Sequence, residues 1–469
     1  MAITSTDPTT GEQLREFSPL TSAAIEEKLA CAHRAAQGWR SAPLDERTAV
    51  LRRAAELLDA RRDDYGKLMT REMGKTFGAA KDEAAKCATS LRYYADHAAQ
   101  FLADAPVAAD GERSYVAFQP LGVVLAVMPW NFPFWQVIRF AAPALAAGNV
   151  GLLKHASNVP QCALALEQLF ADAGAPAGVF QTLLIEAGQV ESLIGDERIA
   201  AVTLTGSEGA GSSVAAVAGK HIKKTVLELG GSDPFIVMES ADLDAATQTA
   251  VTARTINNGQ SCIAAKRFIV AQRIVEDFTT RFAERIRALV VGDPMDARTN
   301  VGPLATEKIR DDLHSQVTRA TKEGASLLVG GTPRAGTGFF YEPTVMRDDT
   351  RRTAVFREET FGPLAVITSV RDTSDAIAAA NDSRFGLGAA AWTRDEEQIQ
   401  RFARELEAGS VFVNGMVASD ARFPFGGVKA SGYGRELGSY GLREWVNIKT
   451  VRILGIDGAR VGVGNGLSE

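Results

Sequence analysis

The chain has 469 residues, of which 46% are hydrophobic and 23% are charged, and its formal net charge at pH 7 is −6. This length is enough for two or three packed units, and the composition is that of an ordinary globular protein. The negative balance without a strongly basic segment argues against a nucleic acid or an anionic membrane as the main partner.

Neither a leader nor a membrane span is predicted. The first ten residues carry no basic segment and no apolar segment, so we expect no signal peptide. The longest apolar stretch, residues 121–153, is interrupted by three prolines, two asparagines and Arg139. These interruptions oppose a membrane helix, and we expect a buried strand followed by a core helix.

The cysteines and histidines show no metal or disulfide pattern. Cys31, Cys87, Cys162 and Cys262 lie far apart, and the five histidines are equally scattered. This spacing matches no zinc site and no disulfide framework. We therefore expect free thiols, no bound metal and a cytoplasmic location.

The remaining elements follow one another in a regular order. Residues 21–101 are predicted to be mostly helical, and residues 113–127 to form strands. Strands then alternate with helices: strands at 150–153, 181–185, 200–204 and 225–229, and helices at 161–173 and 212–218. This alternation indicates βαβ units in an open parallel sheet. It restarts at Pro234 and continues past residue 410, which predicts two α/β domains that meet near Gly230 and Gly231.

Cys262 is a candidate nucleophile. It follows the segment NNGQS at 257–261, and a glycine-containing turn can expose a thiol at the start of the next element. Backbone N–H groups at such a place would favour the thiolate. A buried structural cysteine is the alternative for this segment alone.

Two polar residues at predicted strand ends are further candidates. Glu228 ends an apolar strand before paired glycines, where desolvation would raise its pKa and suit a general base. Asn131 lies at the carboxyl end of another strand, where its amide can donate to an oxyanion. An ion-paired glutamate and a turn-forming asparagine are the alternatives.

Two segments suggest a nucleotide site. Lys154 ends a strand and suits a ribose or a phosphate. The TGS segment at 205–207 follows a strand and opens a helix, which predicts a pyrophosphate site at the helix N-terminus. The complete GxGxxG pattern is absent from it.

Taken together, these segments resemble the aldehyde dehydrogenase superfamily over nearly the whole chain. The matching pieces are PWNF at 129–132, LK at 153–154, LTGS at 204–207, LELGG at 227–231, NGQSC at 258–262, EETFGP at 358–363, VNG at 413–415 and PFGGVK at 424–429. Four further pieces resemble bacterial succinate-semialdehyde dehydrogenases: PFWQVIR at 133–139, KHASN at 154–158, GSDP at 231–234 and AKRF at 265–268.

The resemblance implies an α/β fold of two open parallel-sheet, Rossmann-like domains with a small β oligomerisation element. It assigns residues 1–102 and 119–230 to an NAD(P)-binding domain and 231–430 to a catalytic domain. It assigns 103–118 and 446–455 to the oligomerisation element of a homodimer or homotetramer. Residues 456–469 are expected to be a flexible tail.

The resemblance also implies roles for single residues. Cys262 would attack the aldehyde carbon and become a thioester after hydride transfer, and Glu228 would activate the water that releases the acid. Asn131 and the backbone N–H of Cys262 would bind the oxyanion. The implied cofactor-binding residues are Trp130, Lys154, Ser157, Gly206, Ser207, Leu229, Glu359 and Phe361.

The choice of cofactor is predicted from charge. Many NAD-preferring members carry a glutamate three residues after the lysine, and that carboxylate would repel a 2′-phosphate. Here the position is Ser157, which is neutral and can donate a hydrogen bond. We expect NADP to be preferred and NAD to be an alternative.

Substrate choice is predicted from Arg139. An arginine within an apolar helical stretch needs an anionic partner, and a substrate carboxylate fits. Trp135, one turn earlier, would pack on the methylene chain, and Ser419 matches a serine near that carboxylate in semialdehyde dehydrogenases. The alternative is that Arg139 pairs with an acidic side chain in the core. Some relatives have a second arginine six residues before the cysteine, where this chain has Ile256, so glutarate semialdehyde and neutral aldehydes remain alternative substrates.

Three other functions are alternatives. A CoA-acylating dehydrogenase would use the same cysteine but generally lacks the glutamate at position 228. A Cys–His hydrolase would need a histidine near Cys262 in space. A non-catalytic relative would not be expected to keep Cys262, Glu228 and Asn131.

Overall fold

The computed structural model describes residues 3–109 and 113–454. Its helices are α1 (Ser22–Trp39), α2 (Leu44–Ala60), α3 (Arg62–Met73), α4 (Phe77–Leu102), α5 (Trp135–Ala146), α6 (Pro160–Asp172), α7 (Val190–Gly195), α8 (Glu208–Lys220), α9 (Leu243–Thr255), α10 (Val275–Arg287), α11 (Glu307–Lys322), α12 (Ala354–Arg357), α13 (Thr373–Asn381), α14 (Glu396–Glu405) and α15 (Gly438–Arg443). Its strands are β1 (Ile3–Thr6), β2 (Gln13–Phe17), β3 (Ala105–Pro106), β4 (Arg113–Pro120), β5 (Val123–Met128), β6 (Val150–His155), β7 (Phe180–Thr182), β8 (Ile199–Thr205), β9 (Lys224–Glu228), β10 (Asp233–Val237), β11 (Ala265–Ala271), β12 (Ser326–Val329), β13 (Thr344–Arg347), β14 (Leu364–Val370), β15 (Gly388–Trp392), β16 (Ser410–Val413), β17 (Gly432–Tyr433) and β18 (Val446–Ile453).

The first large sheet has the order β17-β9-β8-β5-β6-β7, and all its strands except β17 run parallel. The chain adds β6 and β7 on one side of β5 and then β8 and β9 on the other. The connections after β5 and β8 therefore diverge and leave a crevice at the carboxyl ends of these strands. Asn131 follows β5 and Ser207 follows β8, so both lie at this crevice.

The second sheet has the order β12-β13-β14-β11-β10-β15-β16, in which only the edge strand β12 is antiparallel. Its central strands β10 and β11 are buried along their whole length, as apolar parallel strands covered by helices are. The chain passes from the first sheet to the second between β9 and β10, over residues 229–232. The predicted α/β class with two parallel sheets is confirmed.

Residues 121–153 form β5, α5 and β6, as the apolar stretch predicts. Every residue of α5 is buried. Within residues 3–109 and 113–454, no helix combines the length and apolar character that crossing a bilayer requires.

Two buried glutamates tie the helical layer to the first sheet. Glu83 of α4 accepts the N–H groups of Phe134 and Trp135 at the start of α5, at 2.8 and 2.9 Å. Glu72 of α3 accepts the N–H groups of Gln161 and Cys162 in the first turn of α6. Both carboxylates satisfy N–H groups that the helices cannot pair internally. Helix α5, which carries several candidate site residues, is therefore fixed to α4.

A small antiparallel sheet has the order β18-β4-β3. Residues 446–453 pair with residues 113–120 of the same chain, and Ile448 on β18 remains 62% exposed. Both pieces of the predicted oligomerisation element thus form one sheet, although its role between subunits stays a prediction. The predicted flexible tail, residues 456–469, lies outside the described residues.

Candidate active site

Two cavities meet at Cys262. Cavity A has a volume of about 250 Å³, and its walls include Lys86, Phe132, Trp135, Arg139, Ile256, Ser419 and Phe425. Cavity B has a volume of about 200 Å³ and is lined by Pro129, Trp130, Asn131, Thr205, Gly206, Ser207, Leu229, Gly230, Glu359 and Phe361. Cys262 and Gln136 line both cavities. The thiol is therefore reachable from two sides.

The turn before Cys262 has an unusual backbone. Asn257, Asn258 and Gly259 are all left-handed, with φ of 56°, 59° and 75°. A Cβ on Gly259 would lie 2.3 Å from the backbone carbon of Gly362, so only glycine fits there. The side chain of Asn258 donates to the carbonyls of Gly74 and Pro303 and fixes the turn.

Lys266 holds the other side of this turn. It is fully buried in β11, and its Nζ donates to the carbonyls of Ser261, Cys262 and Ala264 at 3.0, 2.8 and 3.2 Å. The backbone N–H of Cys262, in contrast, has no hydrogen-bond acceptor among the described residues. This N–H is free to bind an anion beside Sγ.

The expectation that the surroundings favour the thiolate is wrong for this structure. Burial raises the pKa of the Cys262 thiol to about 12, although the positive charges of Arg139 and Lys266 act in the opposite direction. Cys262 precedes a strand rather than a long helix, so no helix N-terminus stabilises its negative charge. The loss of hydration therefore outweighs the nearby cations.

Glu228 ends β9 and is only 2% exposed. Burial and the neighbouring Glu436 raise its pKa well above its usual value, as predicted for a desolvated glutamate. Neither carboxylate oxygen has a hydrogen-bond partner in the described structure, and the backbone approaches closely at Gly426. Glu228 lines neither cavity, so the structure does not bring its carboxylate to the space in front of Cys262.

Asn131 lies directly against the cysteine turn. Its Nδ2 donates to the carbonyl of Gln260 at 3.0 Å, and its own carbonyl accepts from Asn257 Nδ2 at 2.7 Å. One N–H of the Asn131 amide is thus used to hold the turn. The other has no acceptor among the described residues, and Asn131 and Cys262 both line cavity B.

Cavity B gathers most of the predicted cofactor residues. The rings of Trp130 and Phe361 meet edge to face with centroids 5.6 Å apart, and Leu229 adds an apolar wall. Ser207 caps α8, since its hydroxyl accepts the N–H of Ala210 at 3.4 Å. The cavity therefore combines flat apolar walls with the N-terminus of a 13-residue helix.

Glu359 is the acidic group of cavity B. Its Oε1 accepts the N–H of Gly231 at 3.0 Å and lies 3.8 Å from Lys266 Nζ. Burial raises its pKa, and the charge of Lys266 opposes that change. A Cβ on Gly230 would lie 2.5 Å from Glu359 Oε2, so the paired glycines make room for this carboxylate.

Lys154 and Ser157, two of the predicted cofactor residues, do not line cavity B. Lys154 is paired in register with Val127 of the neighbouring strand β5, and burial lowers its pKa. Ser157 is exposed in the connection after β6. Both lie at the carboxyl edge of the sheet that cavity B borders.

Arg139 has an anionic partner within the protein. It forms an ion pair with Glu436, and the two side chains are only 3% and 1% exposed. Its guanidinium also lies over the ring of Phe425, 4.6 Å from the centroid, and donates to Thr205 Oγ1 at 3.4 Å. The alternative considered for this arginine, a core acidic partner, therefore describes the structure, although Arg139 also borders cavity A.

Sequence analysis missed Lys86. Its Nζ donates to Ser419 Oγ at 2.7 Å and lies 4.4 Å from the centroid of the Trp135 ring. Ser419 and Trp135 are thus brought together in cavity A, as predicted, but they meet around a lysine. The signal was present in the spacing, because Glu83 falls on the apolar face of α4 between Ala80 and Cys87, and Lys86 lies one turn further along.

Two other observations bear on the alternatives. None of the five histidines, all of which the structure describes, lines either cavity, so no Cys–His pair forms at Cys262. The described residues hold no group of three or more acidic, histidine or cysteine side chains arranged for a metal ion. All four cysteines are free thiols.

Comparison with known proteins gives consistent relatives. A model of the aldehyde dehydrogenase family matches residues 1–451. The chain is 54% identical over 456 residues to a protein of Mycobacterium tuberculosis named succinate-semialdehyde dehydrogenase (NADP(+)) 1, covering 97% of this chain and 100% of the relative. A protein of Mycobacterium avium named succinate-semialdehyde dehydrogenase (NADP(+)) is 54% identical over 457 residues, covering 97% of each.

Solved structures agree with these relatives. A succinic semialdehyde dehydrogenase from Streptococcus pyogenes, in complex with NADP+ as the cofactor, superposes with a TM-score of 0.95 at 39% identity. A structure described as giving insights into cofactor and substrate selection by Gox0499 superposes with a TM-score of 0.95 at 42% identity. Each comparison covers 97% of this chain and 100% of the other.

Proposed function

The chain belongs to the aldehyde dehydrogenase family, and we propose from that premise that it oxidises succinate semialdehyde to succinate with NADP, through a thioester on Cys262. The observation that carries the proposal is the position of Cys262 in the wall between two cavities. Cavity A takes the aldehyde and cavity B takes the nicotinamide end of the cofactor. The two mycobacterial relatives, named for succinate semialdehyde and NADP, support both choices.

The residues of cavity B fit such a cofactor by their chemistry. Trp130 and Phe361 provide flat apolar surfaces for a planar ring, Glu359 provides a carboxylate for ribose hydroxyls, and Ser207 lies at a helix N-terminus suited to phosphate. Lys154 and Ser157 would hold the adenosine ribose and its 2′-phosphate. When bound, the nicotinamide accepts the hydride that the aldehyde carbon loses, a redox step that side chains cannot supply.

The first chemical step is attack of Cys262 Sγ on the aldehyde carbon, after the thiol has given its proton to water; the S–C bond forms as the C=O double bond becomes a single bond. The carbonyl oxygen then carries a negative charge. The unpaired backbone N–H of Cys262 and the free N–H of the Asn131 amide bind it. Lys266 and Asn258 keep the turn, and therefore both donors, in place.

The last step, after the hydride has been lost, is hydrolysis of the thioester: water adds to the carbonyl carbon, and the C–S bond breaks to release the acid and Cys262 Sγ. Glu228 in its ionised form takes a proton from the attacking water. Because Glu228 lines neither cavity, its side chain must turn towards Cys262 for this step. Its unpaired oxygens leave it free of hydrogen bonds that would hold it back. The presence of Glu228 favours transfer to water over transfer to CoA.

We also propose a cytoplasmic homodimer or homotetramer assembled through the small sheet. Strand β18 forms one edge of that sheet, and Ile448 is exposed on it. An exposed apolar edge strand is a ready site for pairing with another chain. Sedimentation of the wild type against a variant with Ile448→Lys tests this assembly, and an unchanged mass would exclude the surface.

Steady-state kinetics test the proposed reaction. We expect the highest kcat/KM for succinate semialdehyde with NADP among succinate semialdehyde, glutarate semialdehyde and butanal with either cofactor. The formation of reduced nicotinamide, followed by its absorbance, should disappear in Cys262→Ala. Equal kcat/KM for butanal would contradict the substrate, a higher value with NAD would contradict the cofactor, and an acyl-CoA product would contradict hydrolysis.

A further inference from the structure

We propose that Lys86, together with Ser419, binds the substrate carboxylate and makes the enzyme selective for aldehydes that carry one. This inference rests on the proposed function, since it concerns the far end of the same substrate. It differs from the prediction drawn from the sequence in its cation, because that prediction placed the carboxylate between Arg139 and Ser419.

The charges around cavity A lead to Lys86. Lys75, Lys86 and Arg139 are the cations in its lining. Lys75 forms an ion pair with Glu83, and Arg139 forms one with Glu436. Lys86 has no carboxylate within ion-pairing distance among the described residues. Its ammonium donates instead to the neutral hydroxyl of Ser419.

The acidic groups near Lys86 are committed to other partners. Asp82, at the rim of the cavity, pairs with Arg62 at 2.8 Å. Asp420 pairs with Arg422 at 2.6 Å. Glu83 binds Lys75 and also caps α5. A positive charge therefore remains without a matching negative charge, and a partly buried unmatched charge favours an anionic ligand.

The geometry around Lys86 suits a carboxylate. The ammonium uses one N–H on Ser419 Oγ, and its face against the Trp135 ring fixes its position. Two further N–H groups and the hydroxyl hydrogen of Ser419 are then available as donors. A carboxylate presents two oxygens and can accept from both residues at once.

The walls between Lys86 and Cys262 suit the rest of the substrate. Phe132, Trp135 and Phe425 give cavity A an apolar lining, which a short methylene chain would fill. Ile256 adds to this surface at the position where some relatives have an arginine. The lining thus supplies a thiol, apolar side chains and one unmatched cation, which complement the aldehyde, the methylene chain and the carboxylate of succinate semialdehyde.

The test compares Lys86→Met with Lys86→Arg and with Lys81→Met. Lys81 lies on the same helix, outside the cavity lining, with its Nζ 3.8 Å from Asp63, and so controls for the loss of a lysine on α4. We expect Lys86→Met to lower kcat/KM for succinate semialdehyde roughly tenfold or more, mostly through KM, because a charged hydrogen-bond partner is lost. The kcat/KM of Lys86→Met for butanal should change less than about threefold. Lys86→Arg should retain the preference for the anionic aldehyde. Lys81→Met should have the kinetics of the wild type.

A binding measurement separates this role from a structural one. Calorimetric titration of succinate, the product, into the wild type and Lys86→Met should show weaker binding by roughly tenfold in the variant, with an unchanged melting temperature. The inference is wrong if both aldehydes lose the same factor, or if Arg139→Met alone removes the preference for the anionic aldehyde. A wild type with no preference for succinate semialdehyde over butanal would instead overturn the proposed function, independently of any Lys86 variant.

Discussion

Arg139 and Glu436 form an ion pair that is almost completely excluded from solvent. The pair joins α5 to the segment after β17; Arg139 lines cavity A, and both charges act on the pKa of the buried Glu228 carboxylate. Because Glu436 neutralises Arg139, this arginine contributes to stability and to the electrostatics around Glu228.

The first prediction concerns the stability of this pair. Glu436→Gln should lower the free energy of unfolding by about 3–5 kcal/mol, because it leaves a buried guanidinium without its counter-charge. The double variant Arg139→Met/Glu436→Leu should recover part of that loss. Denaturant or thermal unfolding measures both. The exposed pair Arg281–Asp277 on α10 provides the control, since Arg281→Met should leave the melting temperature unchanged. An unchanged free energy of unfolding in Glu436→Gln would show that the pair is not important for stability.

The second prediction concerns the turn before Cys262. Gly259→Ala should destabilise the protein by more than about 2 kcal/mol and abolish activity, because φ is 75° and the new methyl group would meet the backbone of Gly362. Gly219→Ala is the matched control, since its Cβ would meet nothing within 4 Å and it lies within α8. That variant should be neutral or slightly stabilised. Unfolding curves and steady-state rates for the two variants check this, and equal behaviour would contradict it.

The third prediction concerns the cofactor. Ser157→Glu should lower kcat/KM for NADP roughly tenfold or more, because its carboxylate would repel a 2′-phosphate beside Lys154. The value for NAD should stay the same or rise. Ser192→Glu, an exposed change on α7, adds the same charge elsewhere and should leave the ratio unaltered. If the ratio of kcat/KM for NADP to that for NAD is unchanged in Ser157→Glu, the 2′-phosphate is bound elsewhere.

The fourth prediction concerns pH. Burial raises the pKa of the Cys262 thiol to about 12, so this thiol keeps its proton near neutral pH. Burial and the neighbouring Glu436 also raise the pKa of Glu228 well above its usual value. Groups with raised pKa values become more ionised as pH rises, so the rate with a neutral aldehyde should increase steadily from neutral to alkaline pH. A rate with butanal that falls over this range would show that neither deprotonation limits turnover.

The fifth prediction concerns selectivity and pH together. Burial and the nearby charge of Arg139 lower the pKa of Lys86 to about 8, against the smaller opposing effects of Cys87, Glu83 and Asp420. The ammonium is therefore charged below pH 8 and increasingly neutral above it. The ratio of kcat/KM for succinate semialdehyde to that for butanal should fall through this range in the wild type. In Lys86→Met this ratio should be lower and should not change with pH. A wild-type ratio that is independent of pH would contradict the role of Lys86 in binding the carboxylate.

Much of the fold followed from the sequence, because the β-branched apolar runs and the helical patterns between them are local signals. The strand ends at Thr205 and Glu228 were predicted within one residue. The pairing of residues 113–120 with 446–453 is a long-range contact. It came from the resemblance and not from any local pattern.

The site was predicted less evenly. Cavity B brings together Trp130, Ser207, Glu359 and Phe361, which motif order alone had indicated. To predict which cation of cavity A binds an anion, one must know which of the charges are already paired within the protein. The partner of Arg139 lies 297 positions away at Glu436, and the hydroxyl that accepts from Lys86 lies 333 positions away. No periodicity or spacing reveals such pairings. The predictions of a thiolate at Cys262 and of a substrate carboxylate at Arg139 were therefore made without knowledge of the burial and the charges around these residues.

The three cations that line cavity A have different bonding partners, and these partners decide which cation can be replaced without loss of folding. Lys75 and Arg139 are paired with the buried carboxylates of Glu83 and Glu436, so replacing either cation leaves a buried charge unpaired and endangers folding. Lys86 is bound only through a neutral hydroxyl and a ring face. A descendant chain can replace Lys86 by a neutral residue in one mutational step while the scaffold stays intact. Its selectivity for the anionic aldehyde then falls, with no intermediate of reduced stability for selection to remove.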